Sequence, residues 1–264
     1  MTLFILVLSF LFAVAIFLTV QFSIFIPSVN GIPILMYHQV KPQINTRLCI
    51  SPDKLETQLT YLINNGYSCV KLGELTNNKN AFPKRSFVLT FDDAYLNNLE
   101  YLYPLLVKYN LHATIMLPVK YLGKENEWDG SGEKIMTTSQ LKSMSQEYVS
   151  FGLHTYNHKN LRHATPEEIK SEIRDSSNFL TENSIAFLPV LAYPYGGFPR
   201  EKEQLEAFYT VLENNGIKLG IRIGNRINRW PLKNVFLVKR IDIRGIDSMW
   251  DFKTKIKKGR VKMF

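Results

Sequence analysis

Three short clusters carry residues that could do chemistry together. Asp92 and Asp93 stand side by side in Thr90-Phe91-Asp92-Asp93-Ala94, directly after the apolar run Phe87–Leu89. Two neighbouring carboxylates aimed into one site repel each other and call for a cation or a shared proton. His154 and His158 lie four residues apart in His154-Thr155-Tyr156-Asn157-His158, a spacing that lets two imidazoles reach one ion across a turn. Ala192-Tyr193-Pro194-Tyr195-Gly196-Gly197 is an aromatic-Pro-aromatic-Gly turn that can present backbone N–H groups. Taken singly, each cluster also reads as a solvated loop, a chance pair of histidines or a plain tight turn. Combined, one Asp and two His make a three-ligand metal site with open positions, and the second Asp stays free as a base. That layout suits metal-assisted hydrolysis, in which a metal polarises a carbonyl and acidifies water. His112 and His163 have no comparable partner and are read as structural.

The elements that must position these clusters alternate between β-like runs and amphipathic helices. Strands are expected at Pro33–Val40, Tyr67–Leu72, Ser86–Phe91, Ala113–Leu117, Val149–Leu153, Val190–Tyr193, Ile217–Ile223 and Phe236–Ile243. Between them, helices are expected from Pro52 to Gly66, over Leu96–Asn110, near Ser139–Glu147, from the capping box at Thr165 to Leu180, over Arg200–Asn215 and over Ser248–Lys258. Repeated alternation implies a mostly parallel sheet with helices outside it, as a barrel or an open doubly wound sheet. The three clusters fall at the C-terminal ends of strands, where parallel α/β folds place their active sites.

In this order and at these strand ends, the clusters resemble the polysaccharide deacetylases of carbohydrate esterase family 4, the NodB-homology domain. Thr90–Ala94 (TFDDA) is similar to that family's first motif, His154–His158 (HTYNH) to its second and Ala192–Gly196 (AYPYG) to its third. The resemblance covers about residues 32–245. It implies a distorted (β/α) barrel of about seven strands and the removal of acetyl groups from an N-acetylated sugar polymer. It further implies that Asp92 is the general base and that Asp93, His154 and His158 hold the metal. The Tyr195 backbone N–H would help hold the oxyanion. Zn²⁺ is the default for such a donor set, with Co²⁺ or Ni²⁺ also compatible.

Two residues of the family pattern are missing. An Arg that orients the base is usual where Ala192 stands, and a late His usually serves as general acid, yet no histidine follows His163. His38, closing Leu35-Met36-Tyr37-His38, is the expected replacement acid, because in a closed barrel the first strand lies beside the last. Tyr37-His38 and an Arg-less AYPYG both resemble the poly-β-1,6-N-acetylglucosamine deacetylase subgroup. Arg240 is a candidate for the missing Arg, with a surface ion pair to Asp242 as the open alternative.

The chain has 264 residues, and 32 Lys and Arg against 23 Asp and Glu give +9. Its composition excludes a disordered or low-complexity chain, and two cysteines exclude a disulfide scaffold. Residues 1–40 contain no Lys, Arg, Asp or Glu. The apolar stretch 3–26 exceeds the roughly 20 residues a helix needs to cross a bilayer, so residues 1–27 are expected to be a transmembrane anchor and 28–264 the catalytic domain. Six of the last twelve residues are basic, which reads as a solvated helix face and tail or as attraction to anionic lipid. No motif supports nucleic-acid binding. The expected partner is an N-acetylated polysaccharide met on the extracytoplasmic side of the cytoplasmic membrane. Alternatives are a lipid-linked saccharide facing the cytoplasm and a non-catalytic sugar-binding relative.

Overall fold

The computed structural model describes residues 2–21, 28–42 and 44–260. Ten strands form among the described residues: β1 (Ile34–Tyr37), β2 (Gln39–Val40), β3 (Cys49–Ile50), β4 (Ser68–Cys69), β5 (Ser86–Phe91), β6 (Ala113–Leu117), β7 (Val149–Leu153), β8 (Val190–Ala192), β9 (Leu219–Ile223) and β10 (Val238–Asp242). Seven of them run β1-β10-β9-β8-β7-β6-β5, and β1 also pairs with β5, so the parallel sheet closes into a barrel. The short β4 lies against the start of β5, and β2 pairs with β3 apart from the barrel. The fold is thus the expected seven-stranded (β/α) barrel, and the open doubly wound sheet is excluded by the β1–β5 ladder.

Strand side chains alternate between two cores. Ile34, Val88, Met116, Val190, Leu219 and Val238 fill the barrel interior. Leu35, Leu89, Ile115, Leu153 and Leu191 face outward under the helices. This two-sided burial explains why the strands read as nearly continuous apolar runs. Gly152 faces inward where a Cβ would come within 2.7 Å of the Met116 sulfur, so a larger residue there would crowd the interior.

The shell is built from α2 (Pro52–Asn64), α3 (Tyr103–Tyr109), α4 (Thr138–Ser143), α5 (Pro166–Glu182), α6 (Lys202–Asn214) and α7 (Met249–Lys258), with α1 (Thr2–Gln21) preceding the barrel. Capping boxes open three of them. Thr137, Thr165 and Ser248 each accept from the N–H three residues on, and Gln140, Glu168 and Asp251 return the bond. The helix expected over Leu96–Asn110 begins instead with a π-turn at Asn98–Leu102. Its asparagines are engaged elsewhere: Asn98 donates to the His38 carbonyl and Asn97 accepts from the Val40 N–H.

Two expectations are corrected. The described apolar side chains of α1, such as Phe4, Leu8 and Phe12, are exposed, but among the described residues no helix is long and apolar enough to cross a membrane. The expected transmembrane span over 3–26 is therefore not carried by the structure, and residues 22–27 lie outside the described residues. Lys255, expected on a solvated face, is buried, and its ammonium donates to the Asp247 carboxylate and the Asp242 carbonyl. Lys262 of the basic tail lies outside the described residues.

Candidate active site

Strand alternation selects the residues that meet at the top of the barrel. On β5 the inward series Val88, Thr90 continues to Asp92, and on β10 the series Val238, Arg240 continues to Asp242. The same step of two carries Ile34 and Met36 to His38, and Ser150 and Gly152 to His154. These side chains line one cleft of about 490 Å³ at the C-terminal ends of the strands. All six sequence-selected residues, His38, Asp92, Asp93, His154, His158 and Tyr195, line it.

Asp92 is held by Arg240. The guanidinium sits 1 % exposed inside the barrel and donates to both carboxylate oxygens, at 2.5 and 2.7 Å, with Thr90 Oγ1 3.3 Å away. Two parallel charge-assisted bonds fix the carboxylate in plane. Arg240 therefore sits where it fixes the Asp92 carboxylate, and its alternative pairing with Asp242 does not form. Asp242 is instead approached by Arg244, at 4.0 Å. Burial opposes ionisation of Asp92, but Arg240, helped by His154 and His38, holds its carboxyl well below the usual carboxylate range. Oδ2 also faces the Nε2 atoms of His38, at 4.0 Å, and His154, at 3.9 Å. His38 occupies the break between β1 and β2.

Asp93 meets a different environment. His158 Nε2 lies 3.2 Å and His154 Nε2 3.5 Å from its Oδ1. All three donor atoms lie within 4.8 Å of one another. His154 Nδ1 is 2.9 Å from the Ala192 carbonyl, so Nδ1 carries the proton and Nε2 presents a lone pair to the cluster. Burial pushes the His154 imidazole down to about 4, which keeps it neutral at physiological pH. Despite these short approaches, Asp93 Oδ1 is a buried oxygen without a directed hydrogen-bond donor. A carboxylate oxygen faced by imidazole nitrogens and lacking a donor is what a divalent cation completes, so the donor set fits a metal.

The backbone around these residues is strained. Asp93, Ala94, Thr155, His158 and Tyr195 all adopt positive φ, between 52° and 73°. For β-branched Thr155 this is costly, and such strain persists only where surrounding contacts hold it. Those contacts are present: Glu172 on α5 accepts from the backbone and side-chain N–H groups of Asn157, and Thr155 Oγ1 accepts from the Lys159 N–H. The turn carrying both histidines is thereby clamped to the helix beside it.

Two participants escaped the sequence analysis. Trp128 stacks on the His158 ring, with centroids 4.2 Å apart and planes at 23°, while Tyr195 meets the same ring edge-on at 4.9 Å. The Tyr195 ring itself is 60 % exposed and forms part of the cleft wall. Asp129 follows Trp128 into the cleft, and its carboxylate accepts from the Ser131 N–H and the Asn126 amide. Neither belongs to a spaced motif. The only sequence signal is a Trp-Asp between glycines and charged residues in a long loop.

Comparison with known proteins places these features among relatives. Residues 79–218 match the family described as polysaccharide deacetylase. The Bacillus subtilis (strain 168) protein YxkH, named for the same family, is 30 % identical over 194 residues, covering 72 % of this chain and 63 % of that protein. The chain thus spans less than two thirds of that relative. A poly-β-1,6-N-acetyl-D-glucosamine N-deacetylase of Staphylococcus aureus is 27 % identical over 203 residues, 73 % of this chain and 67 % of its own length. Among solved structures, the Streptococcus pyogenes deacetylase PplD in complex with acetate superimposes with a TM-score of 0.71 at 25 % identity, covering 87 % of this chain and 99 % of that one.

Proposed function

The chain belongs to the polysaccharide deacetylase family, and from that premise we propose that it hydrolyses N-acetyl groups on an N-acetylglucosamine-containing polysaccharide, releasing acetate. The observation that supports this most is the juxtaposition of a base locked by Arg240 with an Asp–His–His donor set in one cleft. Asp93, His154 and His158 would hold a divalent cation, Zn²⁺ by default, which supplies polarisation of the amide carbonyl and a lowered water pKa.

The protein's own residues do the rest. Asp92 removes a proton from the attacking water through Oδ2, the oxygen that faces His38 and His154. Arg240 keeps that carboxylate ionised and in plane. The Tyr195 backbone N–H donates to the oxygen that gains charge as the amide carbon becomes tetrahedral. His38, within reach of the same space, gives a proton to the departing sugar amine. We place the barrel on the outer side of the cytoplasmic membrane, where substrates of this class lie, with the exposed apolar side chains of α1 resting against the bilayer rather than crossing it.

The test is acetate release from β-1,6-linked N-acetylglucosamine oligomers, with and without a chelator. Release that stops with chelator and returns with Zn²⁺ supports the proposal. No release from folded, metal-loaded protein on this or other N-acetylated glycans would overturn it.

A further inference from the structure

The opposite end of the barrel holds a second cavity, of about 340 Å³, at the N-terminal ends of β1, β4 and β5. Lys84, Arg85 and Lys257 line it, together with Tyr61, Tyr67 and Asn30, and no Asp or Glu does. The ion pairs of the described residues engage other lysines, Lys41, Lys108, Lys159 and Lys255. Arg85 donates only to a neutral oxygen, the Asn65 carbonyl at the end of α2. Three cations gathered around a concave polar space without a carboxylate repel one another, and a bound anion removes that cost. On a convex surface they would simply separate into solvent.

The position of the cavity says which anion it meets. Its wall includes Ser28, Val29, Asn30 and Gly31, the residues by which the chain enters the barrel after α1. That segment is tied down: the Val29 N–H donates to the Lys257 carbonyl at 3.0 Å, and the Ile32 N–H to the Asn228 carbonyl at 2.8 Å. The cationic wall therefore includes the first described residues that follow the apolar α1 in the chain.

We propose that this cavity binds a phosphate group, the phosphodiester of an anionic glycerophospholipid headgroup, with Lys84, Arg85 and Lys257 as its cationic contacts. The proposal rests on the reading that the chain sits at a membrane through α1. Headgroup hydroxyls meet the Tyr67 hydroxyl and the Asn30 amide. Bound this way, the barrel stands with its N-terminal end on the bilayer and its acidic cleft pointing away, toward the glycan.

The experiment uses the full chain in dodecyl maltoside micelles, titrated with dihexanoylphosphatidylglycerol, dihexanoylphosphatidylcholine and inorganic phosphate by calorimetry. The glycerol lipid binds the wild type about a hundredfold more tightly than K84Q/R85Q/K257Q, each cation contributing roughly fivefold, and more tightly than the choline lipid. K142Q/K170Q/K202Q, which removes the same charge from exposed sites elsewhere, binds like the wild type. Equal affinity of the wild type and K84Q/R85Q/K257Q, or equal losses in both triple variants, overturns the site. Inorganic phosphate binding as tightly as the glycerol lipid overturns the lipid source. Should the triple variant melt early without lipid, K257E at the exposed end of α7 gives the same reading. Acetate release from a soluble oligosaccharide reports on the other end of the barrel. Its failure would remove the deacetylase reading and leave the lipid result intact.

Discussion

Asp92 and Asp93 are neighbours in sequence and equally buried, at 3 % exposure each, yet the two sides of the cleft they face are built differently. On the Asp92 side both carboxylate oxygens are met by one guanidinium, and the interaction is complete within the protein. On the Asp93 side three donor atoms converge and leave an oxygen without a directed hydrogen. A completed interaction holds a carboxylate still, as the proposed base requires, and an incomplete one leaves a place for a cation. The difference arises because the positive φ of Asp93 turns its side chain toward the histidine turn, while Asp92 keeps the inward direction of β5.

The comparison breaks most severely on the completed side. Arg240→Met leaves an uncompensated buried carboxylate, and chemical denaturation is expected to show a loss of about 3–5 kcal/mol. Without the guanidinium, burial raises the Asp92 pKa, so the acid limb of the pH–rate profile moves to higher pH. His38→Gln removes the proposed acid. It is expected to lower acetate release about a hundredfold with metal content unchanged, as read by turnover and metal analysis on one sample.

A smaller effect comes from His154 in metal-stripped protein. Its folded pKa of about 4 lies below the ordinary 6.5, so between these values the unfolded chain binds the extra proton. This contribution is complete above pH 6.5 and is lost as pH falls toward 4. Urea titrations in detergent should show about 2 kcal/mol lost between pH 6.5 and 5, with the slope flattened in His154→Gln. Least of all, Trp128→Leu frees the His158 ring on one face, and competition with a fluorescent chelator should show metal held about tenfold more weakly.

Much of this was legible beforehand, for a local reason. Ser86–Phe91, Ala113–Leu117 and Val149–Leu153 each carry an apolar residue at every second, outward-facing position, and the structure gives each strand the expected limits. The clusters after them needed only the rule that parallel strands present chemistry at their C-terminal ends. Arg240 was a guess because its bond to Asp92 spans 148 residues and depends on barrel closure, with β1 pairing both β10 and β5. Yet the inward alternation from Val238 already aimed it at the interior. Lys255 looked solvated because its partner, Asp247, lies in a loop whose fold no spacing predicts. Trp128 was missed because ring stacking on a histidine leaves no periodic trace.

The division of labour between the two aspartates is tested most directly by measuring bound Zn²⁺ in Asp92→Asn and Asp93→Asn side by side, each checked for folding. Asp92→Asn should hold a full equivalent of metal while releasing no acetate, and Asp93→Asn should lose the metal. Loss of metal from Asp92→Asn, or full retention by Asp93→Asn, would contradict the account.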